Sequence, residues 1–207
     1  MIKTDPNAYQ SRFASTLSQS ALDFERSGKT KEAAEKYEEA LTIQRQLAKT
    51  NFKAFGKQAA EMSSALGKLY FKSGNLPAAE SLLREAIESY RRLGDSDAEL
   101  VGPEVAGTLE PLSYVYVQQR DLVRAQKTAE EAVSIYRKLA STEPSLYGDP
   151  LARCLLVNAA TLESRNPSGA CLMVDQAVSA AFSPDVKKIV QSASQKCSQK
   201  HSFGRAR

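Results

Sequence analysis

LGKLYFKSGNLPAAESLLREAIESY, residues 66–90, reads as a helix, a tight turn and a second helix. Leu66, Leu69 and Tyr70 fall on one face by the i, i+3, i+4 rule, and Gly67 on the same face leaves room for a partner helix. Ser73-Gly74-Asn75 interrupts the pattern: Gly74 suits the left-handed residue that ends many helices, and Asn75 with Pro77 suits the cap and first turn of the next. The second helix carries Ala79, Leu83, Ala86, Ile87 and Tyr90 on one stripe. Ala79 and Ala86 lie two turns apart, so the backbone can approach a neighbour closely. The prediction for this stretch is a helical hairpin.

The hairpin recurs. Aligned on Gly74, the equivalent turn positions are Gly28, Arg120 and Arg165, at steps of 46, 46 and 45 residues. The aromatic that ends the first helix is Phe24, Tyr70 and Tyr116, with Thr161 in the last unit, and the small residue three before it is Ala21, Gly67, Ser113 and Asn158. The second helices carry Ala33, Ala79, Ala125 and Ala170, then Tyr37, Leu83, Ala129 and Val174, then Ala40, Ala86, Ala132 and Ala177. Agreement in packing residues at a fixed period predicts a stacked array in which each unit buries its apolar face on the next.

A small residue, an aromatic and two alanines across a helical hairpin resemble the tetratricopeptide repeat family, over residues 14 to 182. The usual unit is about 34 residues. About a dozen more are spent here on a longer second helix and connector, filled by IQRQLA, SYRRLG and IYRKLA from Ile43, Ser89 and Ile135. Units of this length are similar to those of kinesin light chains and many bacterial repeat proteins. The resemblance implies an all-α fold, a right-handed superhelical solenoid of four hairpins closed by a C-terminal capping helix.

The expected units are 6–52, 56–95, 103–142 and 149–182, with the cap over 184–199, in a single domain 1–199 followed by a basic tail 200–207. Asp5-Pro6 would open the first helix, Pro103 the fifth and Asp149-Pro150 the seventh, each proline sitting in a first turn. Pro111 falls inside a helix and predicts a kink. The connector near Asn51 lacks a strong breaker before Gly56, which predicts a short loop between long helices. Ser183-Pro184-Asp185 opens the cap, with Val186, Ile189, Val190, Ala193 and Cys197 as its inward stripe.

The chain has 28 Lys and Arg against 24 Asp and Glu, and residues 185–207 hold six of the bases against one acid, so the rest is close to neutral. This balance gives no basic surface for nucleic acid. The tail KCSQKHSFGRAR reads as a solvated terminus. No run approaches the ~18 apolar residues of a membrane span, and MIKTDPNAYQ has no apolar core for a signal peptide. The expected location is cytoplasmic, the alternative being periplasmic or secreted after removal of a leader.

The sole histidine is His201, so no catalytic Ser-His-Asp or Cys-His arrangement and no histidine-rich metal site can be assembled within the chain. Glycines lie singly, without a phosphate-cradling loop, and acidic pairs such as Glu38-Glu39 and Glu130-Glu131 read as solvated surface. The reading is a non-enzymatic protein with no cofactor. Two roles fit: an adaptor holding a peptide or protein segment in a concave groove, or a module that joins copies of itself, as monomer or homodimer.

In tetratricopeptide hairpins the first helix faces the groove, which by column implies Ser18, Leu22 and Glu25 in the first unit, Ser64, Lys68, Phe71 and Lys72 in the second, and Glu110, Tyr114, Val117 and Gln118 in the third. Lysines beside Phe71 and Tyr114 suit an acidic or amphipathic partner, although both rings also suit packing between neighbouring first helices. The carboxylate clamp by which one subfamily grips chaperone tails is not reproduced: its columns read Ser18, Leu22, Ser64, Lys68 and Glu110.

Cys171 lies 12 residues before Ser183 and Cys197 lies 13 after Pro184. At ~1.5 Å per residue the two are level on an antiparallel helix pair. Both fall on inward stripes, Cys171 with Val174 and Val178, Cys197 with Val190 and Ala193, within reach of a disulfide. The alternative is two buried thiols acting as small hydrophobes, with Cys154 a third.

Overall fold

The computed structural model of the protein describes residues 6–94 and 98–204, with side chains over 6–94 and 102–199. Across them the chain is all-α: α1 (Pro6–Arg26), α2 (Thr30–Thr50), α3 (Phe52–Lys72), α4 (Leu76–Gly94), α5 (Ala98–Gln118), α6 (Leu122–Thr142), α7 (Pro144–Leu162), α8 (Pro167–Ala180) and α9 (Pro184–Gly204). Asp5, residues 95–97 of the interruption after Gly94, and the side chain of His201 lie outside the described residues.

The repeat columns are the core. The eight alanines of the two repeat columns on the second helices are all buried, and so are Tyr37, Leu83, Ala129 and Val174 between them. The small-residue column is buried throughout as well, at Ala21, Gly67, Ser113 and Asn158. Side chains this small let helix backbones approach, while Tyr37 and Leu83 supply the apolar area whose removal from water drives packing.

The turns show why the period holds. Gly28, Gly74 and Arg120 all adopt positive φ, at 73°, 81° and 61°. In each turn the next N–H reaches back to the aromatic's carbonyl: Lys29 to Phe24, Asn75 to Tyr70 and Asp121 to Tyr116, each at 2.9 Å. Asn75, Asp121 and Asn166 then cap the following helix through Oδ1, which accepts from Ala78, Arg124 and Gly169 N–H at 3.4, 2.9 and 2.9 Å. Lys29 has no capping side-chain bond. The fourth turn differs: Asn166 N–H bonds Leu162 at 2.7 Å, and Arg165 keeps a negative φ.

Three helices start earlier than the sequence predicts. Asn51 alone separates α2 from α3, its Oδ1 accepting from Ala54 N–H at 3.1 Å, so Gly56 sits within α3. α5 opens at Ala98 and runs through Pro103 and Pro111. α7 opens at Pro144 after Glu143 and runs through Pro150. An interior proline removes one backbone hydrogen bond. A single missing bond stops neither helix. α9 extends past residue 199 to Gly204, and its inward stripe is narrower than predicted, because Ile189 is 53% exposed.

The chain divides into two compact units, residues 1–108 and 109–207. In the first, α1 packs on α2, α2 on α3 and α3 on α4 around Tyr37, Leu41, Leu66 and Leu69. Polar bonds stitch the same layers. Gln44 Nε2 donates to Ser11 Oγ at 2.9 Å, Arg45 Nε donates to Glu85 at 2.8 Å, and the hydroxyls of Ser64 and Thr108 share a bond of 3.0 Å.

In the second unit α6 packs on α7 and α7 on α8, with α9 against both α7 and α8. A Cβ at Gly148 would stand 2.4 Å from the carbonyl oxygen of Ala180, so the end of α8 crosses α7 where a side chain would block it. The neighbouring Asp149, expected to cap its own helix, instead reaches the α8–α9 joint. Its carboxylate accepts from Phe182 N–H at 2.7 Å and from Ser183 N–H at 3.0 Å. Cys171 of α8 and Cys197 of α9 form a disulfide with Cα atoms 5.6 Å apart, and Cys154 is a buried free thiol.

Candidate partner-binding surface

The first helices carry every residue that the sequence assigns to the groove. In the first unit Ser18, Leu22 and Glu25 stand on α1 and Ser64, Lys68, Phe71 and Lys72 on α3. Ser64 is 5% exposed and bonded to Thr108, which withdraws it from solvent. Leu22 packs on the core with part of its surface open. Phe71 is half-buried, and Lys68 and Lys72 are exposed. Glu25 Oε1 accepts from Lys72 Nζ at 2.6 Å, tying α1 to α3.

Further along α3, Lys57 Nζ lies 3.0 Å from Glu104 of α5, with Glu61 one turn on. The bond to Glu104 and its charge hold the Lys57 ammonium above its usual pKa. Burial raises the Glu61 carboxyl and Glu104 adds to that, against the opposing pull of Lys57. The strip on α1 and α3 is therefore a mixed one, with Lys68 and the Lys72–Glu25 pair at one end and Lys57 with Glu61 at the other.

In the second unit Glu110, Tyr114, Val117 and Gln118 follow one another along α5. Arg153 of α7 clasps Glu110 through Nε at 2.5 Å and Nη2 at 3.3 Å. A bidentate pair of this kind fixes both side chains. Burial, reinforced by the Glu110 charge, pushes the Tyr114 hydroxyl far above its usual pKa. It is a neutral hydroxyl at any physiological pH. Val117 is half-buried and Gln118 exposed.

Arg153 lies outside the residues that the column reading selects, because that reading assigns groove positions only in the first three units. An acid at Glu110 answered by a base some 43 residues on is the signal that would find it, as Glu25 and Lys72 repeat the arrangement 47 residues apart. Among the described residues no group of three His, Cys, Asp or Glu is placed to hold a metal, and no helix is long and apolar enough to cross a membrane.

Residues 60–93, most of α3 and α4, match the family profile described as tetratricopeptide repeat. Among solved structures, the crystal structure of BtubC (BKLC) from P. vanneervenii is similar over 93% of this chain and 67% of that one, at 24% identity and a TM-score of 0.64. Residues 60–93 are therefore a tetratricopeptide-type repeat, and the chain as a whole shares the all-α helical-repeat fold. The matched segment has the usual tetratricopeptide unit length, and what this chain adds lies outside it, at the start of α3 and in the connectors. The de novo designed helical repeat protein DHR64 matches over 97% of this chain and 100% of its own, at 16% identity and a TM-score of 0.35. No curated protein matches the sequence.

Proposed function

We propose that this protein is an adaptor that holds an acidic or amphipathic peptide segment against the exposed side of α1 and α3. Tetratricopeptide-type repeats serve generally as protein-interaction scaffolds. The observation that carries the finer reading is the exposed pair Lys68 and Lys72, one turn apart on α3 beside the half-buried ring of Phe71. Two ammonium groups and an aromatic face suit a segment that alternates carboxylates with apolar side chains. Lys72 exchanges its bond with Glu25 for one with the ligand, so the exposed pair costs little to open, such pairs contributing about 0.2–1 kcal/mol.

A displayed library of random peptides, selected on the wild-type protein, tests this. Binders enriched in Asp and Glu are expected, weakening with salt and losing at least about tenfold in affinity, ~1.4 kcal/mol, against a Lys68→Glu, Lys72→Glu variant of unchanged helicity. Glu25→Ala, which removes the acceptor that holds Lys72, should tighten the same binders. Selected peptides that hold the double variant as well as the wild type would show that the segment docks elsewhere. A homodimer by light scattering that enriches no peptide would favour self-association. The Cys171–Cys197 bridge supports an oxidising compartment for the protein.

A further inference from the structure

The two halves of α9 are held by different means. At its start Val186 and Val190 are 7% and 0% exposed, Asp149 accepts the N–H groups of Phe182 and Ser183, and Ser183 Oγ accepts from Val186 N–H at 3.4 Å. Past Val190 the helix has only Ala193, Ser194 and Cys197 partly covered, while Gln191, Ser192, Gln195, Lys196, Ser198 and Gln199 are exposed. Beneath that second half lies a recess of about 240 Å³ lined by Leu156 and Ala159 of α7, Ala170 and Val174 of α8, and the two cystine residues. Of the described residues in this half, Ala193 and Cys197 pack on Ala159, Ala170 and Val174. The rest of the recess, mostly apolar but also lined by Glu163 and Lys196, is incompletely filled, so little packing holds the rear of α9 down. What fastens it is the bridge, and both cysteines keep part of their surface open to a reductant.

We propose that the Cys171–Cys197 disulfide is a redox latch on the capping helix: reduction lets the part of α9 beyond Val190 swing from α7 and α8, pivoting on the front half, and uncovers the apolar recess. A dithiol supplies the electrons. One of its thiolates attacks a cystine sulfur, the other cysteine leaves as a thiolate and takes a proton, and the second thiol of the reductant resolves the mixed disulfide. Cys171 and Cys197 end as thiols and the reductant as a disulfide. Cys154, 0% exposed and with its thiol pKa raised far by burial, takes no part.

Amide hydrogen exchange on the full chain, oxidised and after treatment with dithiothreitol, reads the latch directly. Thiol titration in denaturant should count one free thiol before treatment and three after. On reduction, exchange in residues 191–199 should accelerate at least about tenfold, while residues 184–190 and α7 change far less. Cys171→Ser and Cys197→Ser variants, never treated, should show the same fast segment. Unchanged exchange in 191–199 after full reduction would overturn the proposal by showing that packing alone seats the helix. Three thiols in the untreated protein would overturn it at the outset.

Discussion

Arg120 holds the helix-ending backbone conformation that glycine holds in the two preceding turns, with φ of 61° against 73° and 81°. A side chain in that region meets the following carbonyl oxygen, an expense of about 1–2 kcal/mol that glycine escapes, partly offset by glycine's freer unfolded chain. Arg120→Gly should therefore raise stability by about 0.5–1 kcal/mol, read as a higher urea midpoint with an unchanged slope. A lower midpoint would mean that the arginine side chain contributes more than the backbone loses. The turn tolerates Arg120 because Asp121 caps α6 on its next residue, the carboxylate also taking Arg124 Nε at 2.6 Å. Those bonds from Arg124, backbone first, hold the Asp121 carboxyl below its usual pKa.

At the scale of elements the informative joint is the one between α8 and α9, which a residue of α7 closes. Burial acts to raise the Asp149 carboxyl, yet the hydrogen bonds from Ser183 and from Phe182 N–H outweigh it and the pKa stays below the ordinary carboxylate value. A depressed pKa means that the ionised form is the one the fold binds. Its contribution is present above the unfolded carboxyl's pKa of about 3.9 and is lost as pH falls through the lower folded value. Asp149→Ala should loosen the joint by about 1–2 kcal/mol at neutral pH, measured as faster exchange of the Phe182 and Ser183 amides. Wild-type exchange there, corrected for intrinsic rates, should approach that of the variant below about pH 4. A wild type that keeps its full advantage in acid would assign the protection to Gly148 and the close crossing of α8 instead.

Over the whole molecule, repeats bury their surfaces on their neighbours, so the effect of a core lesion should fade with distance along the chain. Leu155 of α7 is 1% exposed at the centre of the second unit. Leu155→Ala removes buried carbon and leaves a cavity worth about 2–5 kcal/mol. Amide exchange through residues 109–199 should accelerate strongly, and α1 and α2 of the first unit should change much less. Equal acceleration from end to end would show that the two units unfold as one cooperative body.

The hairpins were legible in the sequence because their packing depends on side-chain size at a fixed spacing. Ala33, Ala79, Ala125 and Ala170 recur where backbones must approach, and all are buried. Turns were legible for a similar reason: Gly28 and Gly74 supply positive φ locally, and Asn75, Asp121 and Asn166 supply caps to their own helices. Helix starts were less so. Pro103 and Pro150 read locally as first-turn residues, yet each lies inside a helix that continues past one lost backbone bond, and the residue types alone do not mark where such a helix begins. Only the tertiary structure decided which charges on the first helices are spoken for, because Glu25 with Lys72 and Glu110 with Arg153 meet between units more than forty residues apart. It also turned Asp149 from a cap on its own helix into the clasp of another. A capping carboxylate bonds whichever free N–H groups lie nearest, and here the crossing of α8 over Gly148 brings those of Phe182 and Ser183 within reach.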